Sequence, residues 1–241
     1  DNGSGTALVM ELARVMSQYT YDHTIVFMLT IGEEQGLFGA AAMADYCTNN
    51  NIEIKGVFNN DVIGGIECGT TSSPPSCPGL GDIDSLQVRL FSSGATATSS
   101  RNLARTVKMY YDEKIIDVVD IPMTVSIINR EDRVGRGGDH IPFRQNGYPS
   151  IRFTSANEHG DAGVADTNYS DRQHTSGDVL GIDLTSNGQI DQYYVDLNYL
   201  KRNAVINGGS MALLASGPES PDITLFDEAT GLRVVIQPDP D

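Results

Sequence analysis

The chain has 241 residues, with 32 acidic against 16 basic side chains and a formal net charge of −16. A field of that sign repels phosphate backbones and anionic headgroups, which argues against nucleic acid and membrane surfaces as partners. A hydrophobic fraction of 39% with 25 glycines excludes a disordered or fibrous chain and suits one large α/β domain with many loops.

The opening Asp1-Asn2-Gly3-Ser4-Gly5 is a turn-forming cluster that starts a helix, with Leu8, Leu12, Val15 and Met16 at helical spacing. The run 24–31 is apolar and rich in β-branched residues, so it reads as a strand buried on both faces. It ends on Gly32-Glu33-Glu34-Gln35-Gly36. Neighbouring strand residues point opposite ways, so two adjacent acids at a strand end can take two roles, one toward a metal and one toward water or substrate. The bland alternative is that they decorate the start of the helix predicted over 37–46. Residues 54–60 read as a further strand that ends on another acid, Asp61. Cys68 and Cys77 bracket a loop that can close as a disulfide and leave Cys47 over, a pattern that favours an export compartment.

Strands are predicted over 86–91, 122–128 and 148–154, the last carrying Arg152, and a helix over 99–111. A glycine turn at 136–139 leads into a short helix beginning with Asp139-His140, and the long polar loop 155–170 leads to His174. A helix over 190–215 closes a domain spanning 1–216. The remaining 217–241 reads as a linker with strand-like pieces at 223–226 and 232–236, either a docked hairpin or the start of another β module. No run approaches the roughly twenty apolar residues of a membrane span.

Asp1, Glu34, Asp61 and His174 form a mixed nitrogen and oxygen donor set, which suits zinc. If one acid bridges a pair of ions, the pair can activate water and polarise a carbonyl. Glu33, left unligated, can then carry the proton from water to a leaving amine. Arg152 can meet a carboxylate, either of a substrate or of a neighbouring acid. Tyr169 can offer a phenol to a tetrahedral intermediate or simply pack. Asp178 can hold His174 or cap the following turn.

The order Asp1-x-x-Ser4-Gly5, then Glu33-Glu34, then Asp61, then His174-Thr175 followed by Asp178 resembles the co-catalytic zinc aminopeptidases of family M28, from Asp1 to about residue 215. The resemblance implies an α/β fold of the zinc-peptidase, phosphorylase-like type: a three-layer α/β/α sandwich around a mixed, mostly parallel central sheet. It further implies two zinc ions, with Asp1 bridging, Glu34 and His174 on one ion, Asp61 on the other, and Glu33 as general base. The segment 138–143 also resembles the family, and Asp139 is carried over as a group that orients a ligand or the substrate. The family's fifth ligand, a histidine in a His-x-Asp segment upstream of the bridging aspartate, is not in this chain, so one site lacks its imidazole here. An amino-terminal fragment of the same precursor is therefore an expected partner, alongside a peptide substrate. The expected activity is that of a secreted or periplasmic metal-dependent aminopeptidase. The alternatives are a glutamate carboxypeptidase-like or glutaminyl cyclase-like enzyme on the same scaffold, or a non-catalytic binding module.

Overall fold

The computed structural model describes residues 2–68, 79, 81–94, 98–133, 135–156, 174, 176–217, 222–228 and 231–237. Its centre is a four-stranded sheet of β1 (Val57–Asn60), β2 (Gln87–Phe91), β3 (Thr124–Ile128) and β4 (Ser150–Ser155), in the order β1-β4-β2-β3. The β1–β4 and β2–β3 pairs are parallel and the β2–β4 pair is antiparallel, so the sheet is mixed, as expected. Helices α1 (Gly3–Met16), α2 (Phe38–Asn49), α3 (Ser99–Tyr110), α4 (His140–Gln145) and α5 (Leu197–Ser216) cover its two sides. Leu8 and Leu12 of α1, Leu103 and Val107 of α3, and Tyr199 and Ile206 of α5 pack in one core with the sheet. Ala40 and Ala44 of α2 and Phe143 of α4 form a smaller one with Val57 on the other side.

The period of two along the strands sorts side chains to faces. Val88, Leu90, Val125, Ile151 and Phe153 enter the larger core. Their neighbours Arg89, Ser126, Ser150, Arg152 and Thr154 fall on the opposite face and are equally buried. This second face is polar, so its groups must find partners within the protein. Arg89 Nε, for example, donates to the Ser155 carbonyl at 3.1 Å.

Two expectations need correcting. Residues 24–31 join no strand ladder. They run beside β1, but a cavity lies between the two segments, and Val26, Leu29 and Ile31 are 64%, 54% and 80% exposed. β propensity describes fit to a pleated neighbour, and with β1 held off across a cavity the run has nothing to pair with. The closing helix also begins at Leu197, later than expected: Asp196 Oδ1 accepts from Tyr199 N at 2.7 Å and caps it there. Just upstream, β5 (Gly181–Ile182) and β6 (Gln192–Tyr193) pair as a short antiparallel ribbon.

The tail forms a hairpin of β7 (Asp222–Glu228) and β8 (Gly231–Gln237). Cys68 is disulfide-bonded and Cys47 is free and buried, whereas Cys77 lies outside the described residues. So do Asp1, Tyr169 and the loop 157–173. No helix among the described residues is long and apolar enough to cross a membrane.

Candidate active site

The site is assembled where the start of α1 meets the end of β1. Asn2 Nδ2 donates to the Asn60 carbonyl at 2.6 Å, while its Oδ1 accepts from Gly5 N at 2.9 Å and Val62 N at 3.3 Å. Ser4 Oγ accepts from Ile63 N at 3.2 Å. A Cβ on Gly5 would lie 2.0 Å from the Asn60 carbonyl oxygen, so only glycine lets the helix press this closely on the strand. The motif Asn2-x-Ser4-Gly5 is thus a clamp on the turn that carries Asp61.

That turn is strained. Val62, directly after Asp61, has φ 53°, a left-handed backbone that a β-branched residue seldom adopts. Hydrogen bonds hold it there: the Val62 carbonyl accepts from Ser155 N at 3.0 Å and Ser155 Oγ at 2.6 Å, and Asp61 N donates to the Phe153 carbonyl at 3.1 Å. Strain of this kind clusters at functional sites because surrounding contacts must enforce it.

The acid pair occupies a turn before α2, framed by Gly32 at φ 68° and Gly36 at φ 125°. Gly36 N and Leu37 N both donate to the Glu33 carbonyl, at 3.0 and 2.9 Å. The two carboxylates then diverge in environment. Glu34 Oε1 lies 2.7 Å from His174 Nε2, with both side chains partly open to solvent. Glu33 is half-buried, and its proton affinity is pushed up to about 7, first by burial and then by the charges of Asp61, Glu34 and Asp139. Asp139 is also pushed up, chiefly by burial; its Oδ2 accepts from Thr30 Oγ1, while its buried Oδ1 has no hydrogen-bond partner.

Glu33, Glu34, Asp61 and Asp139 line one end of a cavity of about 950 Å³, whose walls include Val9, Leu12, Phe27 and Met28. Of the residues expected at the site, the structure therefore brings these four together, and His174 joins them through Glu34. His174 itself has φ 62°, a second strained backbone at the site. Asp178 is exposed. Arg152 does not open on the cavity: it is fully buried on the polar face of the sheet, between Asp61 and Asp132. The roles of Asn2, Val62 and Asp132 escape sequence reasoning. Asp132 sits in the charged run Arg130-Glu131-Asp132-Arg133, which reads as a solvated loop.

A divalent cation fits this donor chemistry. An imidazole nitrogen already touches a carboxylate, and burial together with the neighbouring acids raises Glu33. Among the described residues no group of three or more His, Cys, Asp or Glu side chains is arranged to hold an ion. The donors stand instead in two pieces, Glu34 with His174 and Asp61 beside Glu33 and Asp139.

The model of peptidase family M28 matches residues 1–197. A probable zinc metalloprotease of Leptosphaeria maculans is 31% identical over 255 residues, covering 98% of this chain and 54% of that protein. One from Pyricularia oryzae is 33% identical over 240 residues, covering 95% and 44%. The chain spans about half the length of the curated relatives it matches. Among solved structures, the LapA aminopeptidase of Legionella pneumophila aligns with a TM-score of 0.57 at 20% identity, over 91% of this chain and 47% of that one. The zinc aminopeptidase BSAP of Bacillus subtilis aligns with a TM-score of 0.55 at 18% identity, over 92% and 43%. These structural likenesses bear on the fold, an α/β sheet with helices on both sides. The family match covers most of the chain and coincides with the acid cluster: this chain belongs to peptidase family M28.

Proposed function

We propose that the chain carries the catalytic site of a zinc-dependent aminopeptidase with two zinc positions. The observation that supports this reading best is the division of labour in the acid pair: Glu34 contacts His174, while Glu33 is turned into a half-buried, charge-crowded position and raised to about 7. Glu34 and His174 would hold one zinc and Asp61 the other, with Asp1 between them. Zinc, when bound, supplies Lewis-acid polarisation of the scissile carbonyl and acidifies water. Glu33 acts as general base and acid, taking the proton of the attacking water and passing it to the departing amine. Asp139, hydrogen-bonded to Thr30, lines the same cavity and would orient the substrate amine.

The carboxypeptidase alternative has two cationic candidates, Arg152 and Arg136, and the first is buried and held by two acids. Near Asp61, His140 Nε2 is bonded to the Glu131 carbonyl at 2.8 Å, while its buried Nδ1 has no hydrogen-bond partner. The Cys68 disulfide supports an exported, oxidising location. Hydrolysis of free-amino aminoacyl-nitroanilides, lost with chelator and restored by zinc, is the expected result. Equal cleavage of amino-blocked substrates would contradict the aminopeptidase reading.

A further inference from the structure

Behind the cavity, the polar face of the sheet holds a buried charge relay that the mechanism above leaves unused. Arg152 on β4 is wholly buried, and its register neighbour on β1 is Asn59, just upstream of Asp61. Its Nη2 lies 3.1 Å from Asp61 Oδ2, and its Nη1 donates to Asp132 Oδ1. Asp132 is buried and held in its own right: its Oδ1 accepts from Arg133 N at 2.7 Å, and its Oδ2 faces His140 Nε2 at 4.0 Å. The packing around Asp61 is tight. A Cβ on Gly138 would sit 3.1 Å from Asn59 Nδ2 and 3.4 Å from Asp61 Oδ2.

A guanidinium presents its donors in one rigid plane, so prongs fixed on Asp132 and Asp61 leave the Asp61 carboxylate little freedom to turn. A lone arginine beside a metal ligand would also repel the cation. Asp132 lessens that objection: its carboxylate meets Arg152 and, at 3.6 Å, the buried Arg133 Nε, and offsets part of their charge so that Asp61 keeps its own for the ion. The geometry points to Arg152 as a positioning residue that holds Asp61 by Oδ2 and leaves Oδ1 for zinc, with Asp132 anchoring Arg152. The inference rests on the reading of Asp61 as a zinc ligand.

Zinc titration against a competing chelator tests it, on the whole chain and its D61N, H174Q, R152K and D132N variants. D61N marks the uptake that belongs to Asp61, and H174Q marks the uptake that belongs to Glu34 and His174. Arg152→Lys keeps the charge and loses the fork. It should weaken the Asp61 uptake by about tenfold or more, with D132N following in the same direction. The His174 uptake should stay within about twofold, because that pair does not touch the relay. If R152K melts without cooperativity, the double variant R152M/D132N, which keeps an acceptor oxygen for Arg133 N, should fold yet show the same selective loss. R152K titrating like the wild type would overturn the inference, and so would equal weakening of both uptakes in the folded variants. Zinc uptake indifferent to D61N would instead overturn the ligand reading, a comparison in which Arg152 is untouched.

Discussion

Glu33 is the residue whose environment says most. Burial and three neighbouring carboxylates raise it to about 7, so in the metal-free chain it keeps a proton that the unfolded chain gives up in the ordinary carboxylate range. The native state then binds more protons over that window, and stability falls as pH rises through it. His140 works the other way: burial lowers it to about 4, so stability falls as pH drops below its ordinary value of 6.5. Between pH about 6.5 and 8 the fading His140 effect still opposes the Glu33 effect, which is under about 1 kcal/mol once its exposure is allowed for, so the Glu33 share is the difference between the wild type and Glu33→Gln. In thermal melts of the metal-free protein the wild type should lose stability relative to Glu33→Gln as pH rises across that interval. Parallel curves would assign the pH dependence elsewhere. Val62 makes a separate prediction. Asparagine tolerates the left-handed backbone better than valine, so Val62→Asn should raise stability by about 1 kcal/mol, or about 2–4 °C in melting temperature. The grouping of Glu33, Glu34, Asp61 and Asp139, with His174 on Glu34, was legible in the sequence from their residue types and order. Val62 was not, since nothing in a valine announces its φ.

Among the elements, the start of α1 and the end of β1 act as one unit through Asn2, Ser4 and Gly5. Gly5→Ala drives a methyl group into the Asn60 carbonyl and should cost more than about 3 kcal/mol, whereas Gly3→Ala, with open space around it, should cost little. Chemical denaturation of the two variants side by side measures the difference. Periodicity located most elements: α1, α3 and the strands of the central sheet lie within a few residues of expectation. Two elements failed for physical reasons. Residues 24–31 have strand composition but no ladder partner, and pairing is a property of two segments. The helix expected from 190 starts at Leu197 because one carboxylate, Asp196, captures the first turn. The polar face of the sheet was hidden in plain alternation. Arg152 was open between a substrate carboxylate and a neighbouring acid, and with both faces covered it meets the acids Asp61 and Asp132.

On the scale of the whole molecule, a net charge of −16 surrounds a site that itself concentrates carboxylates. Such a field draws divalent cations and amino-terminal ammonium groups toward the cavity and repels carboxylate ends. Association with a cationic substrate should therefore weaken as salt rises, read as a falling kcat/KM between low and high ionic strength. The central claim is narrower: adjacent acids at one turn have separate jobs, with Glu33 moving protons and Glu34 holding metal beside His174. Zinc content and aminoacyl-nitroanilide turnover of Glu33→Gln and Glu34→Gln, measured together, test it most directly. The account predicts that E33Q keeps its zinc and loses at least about a hundredfold in turnover, the usual scale of a lost general base, whereas E34Q loses zinc as well. Loss of zinc in E33Q, or undiminished turnover with zinc in place, would contradict it.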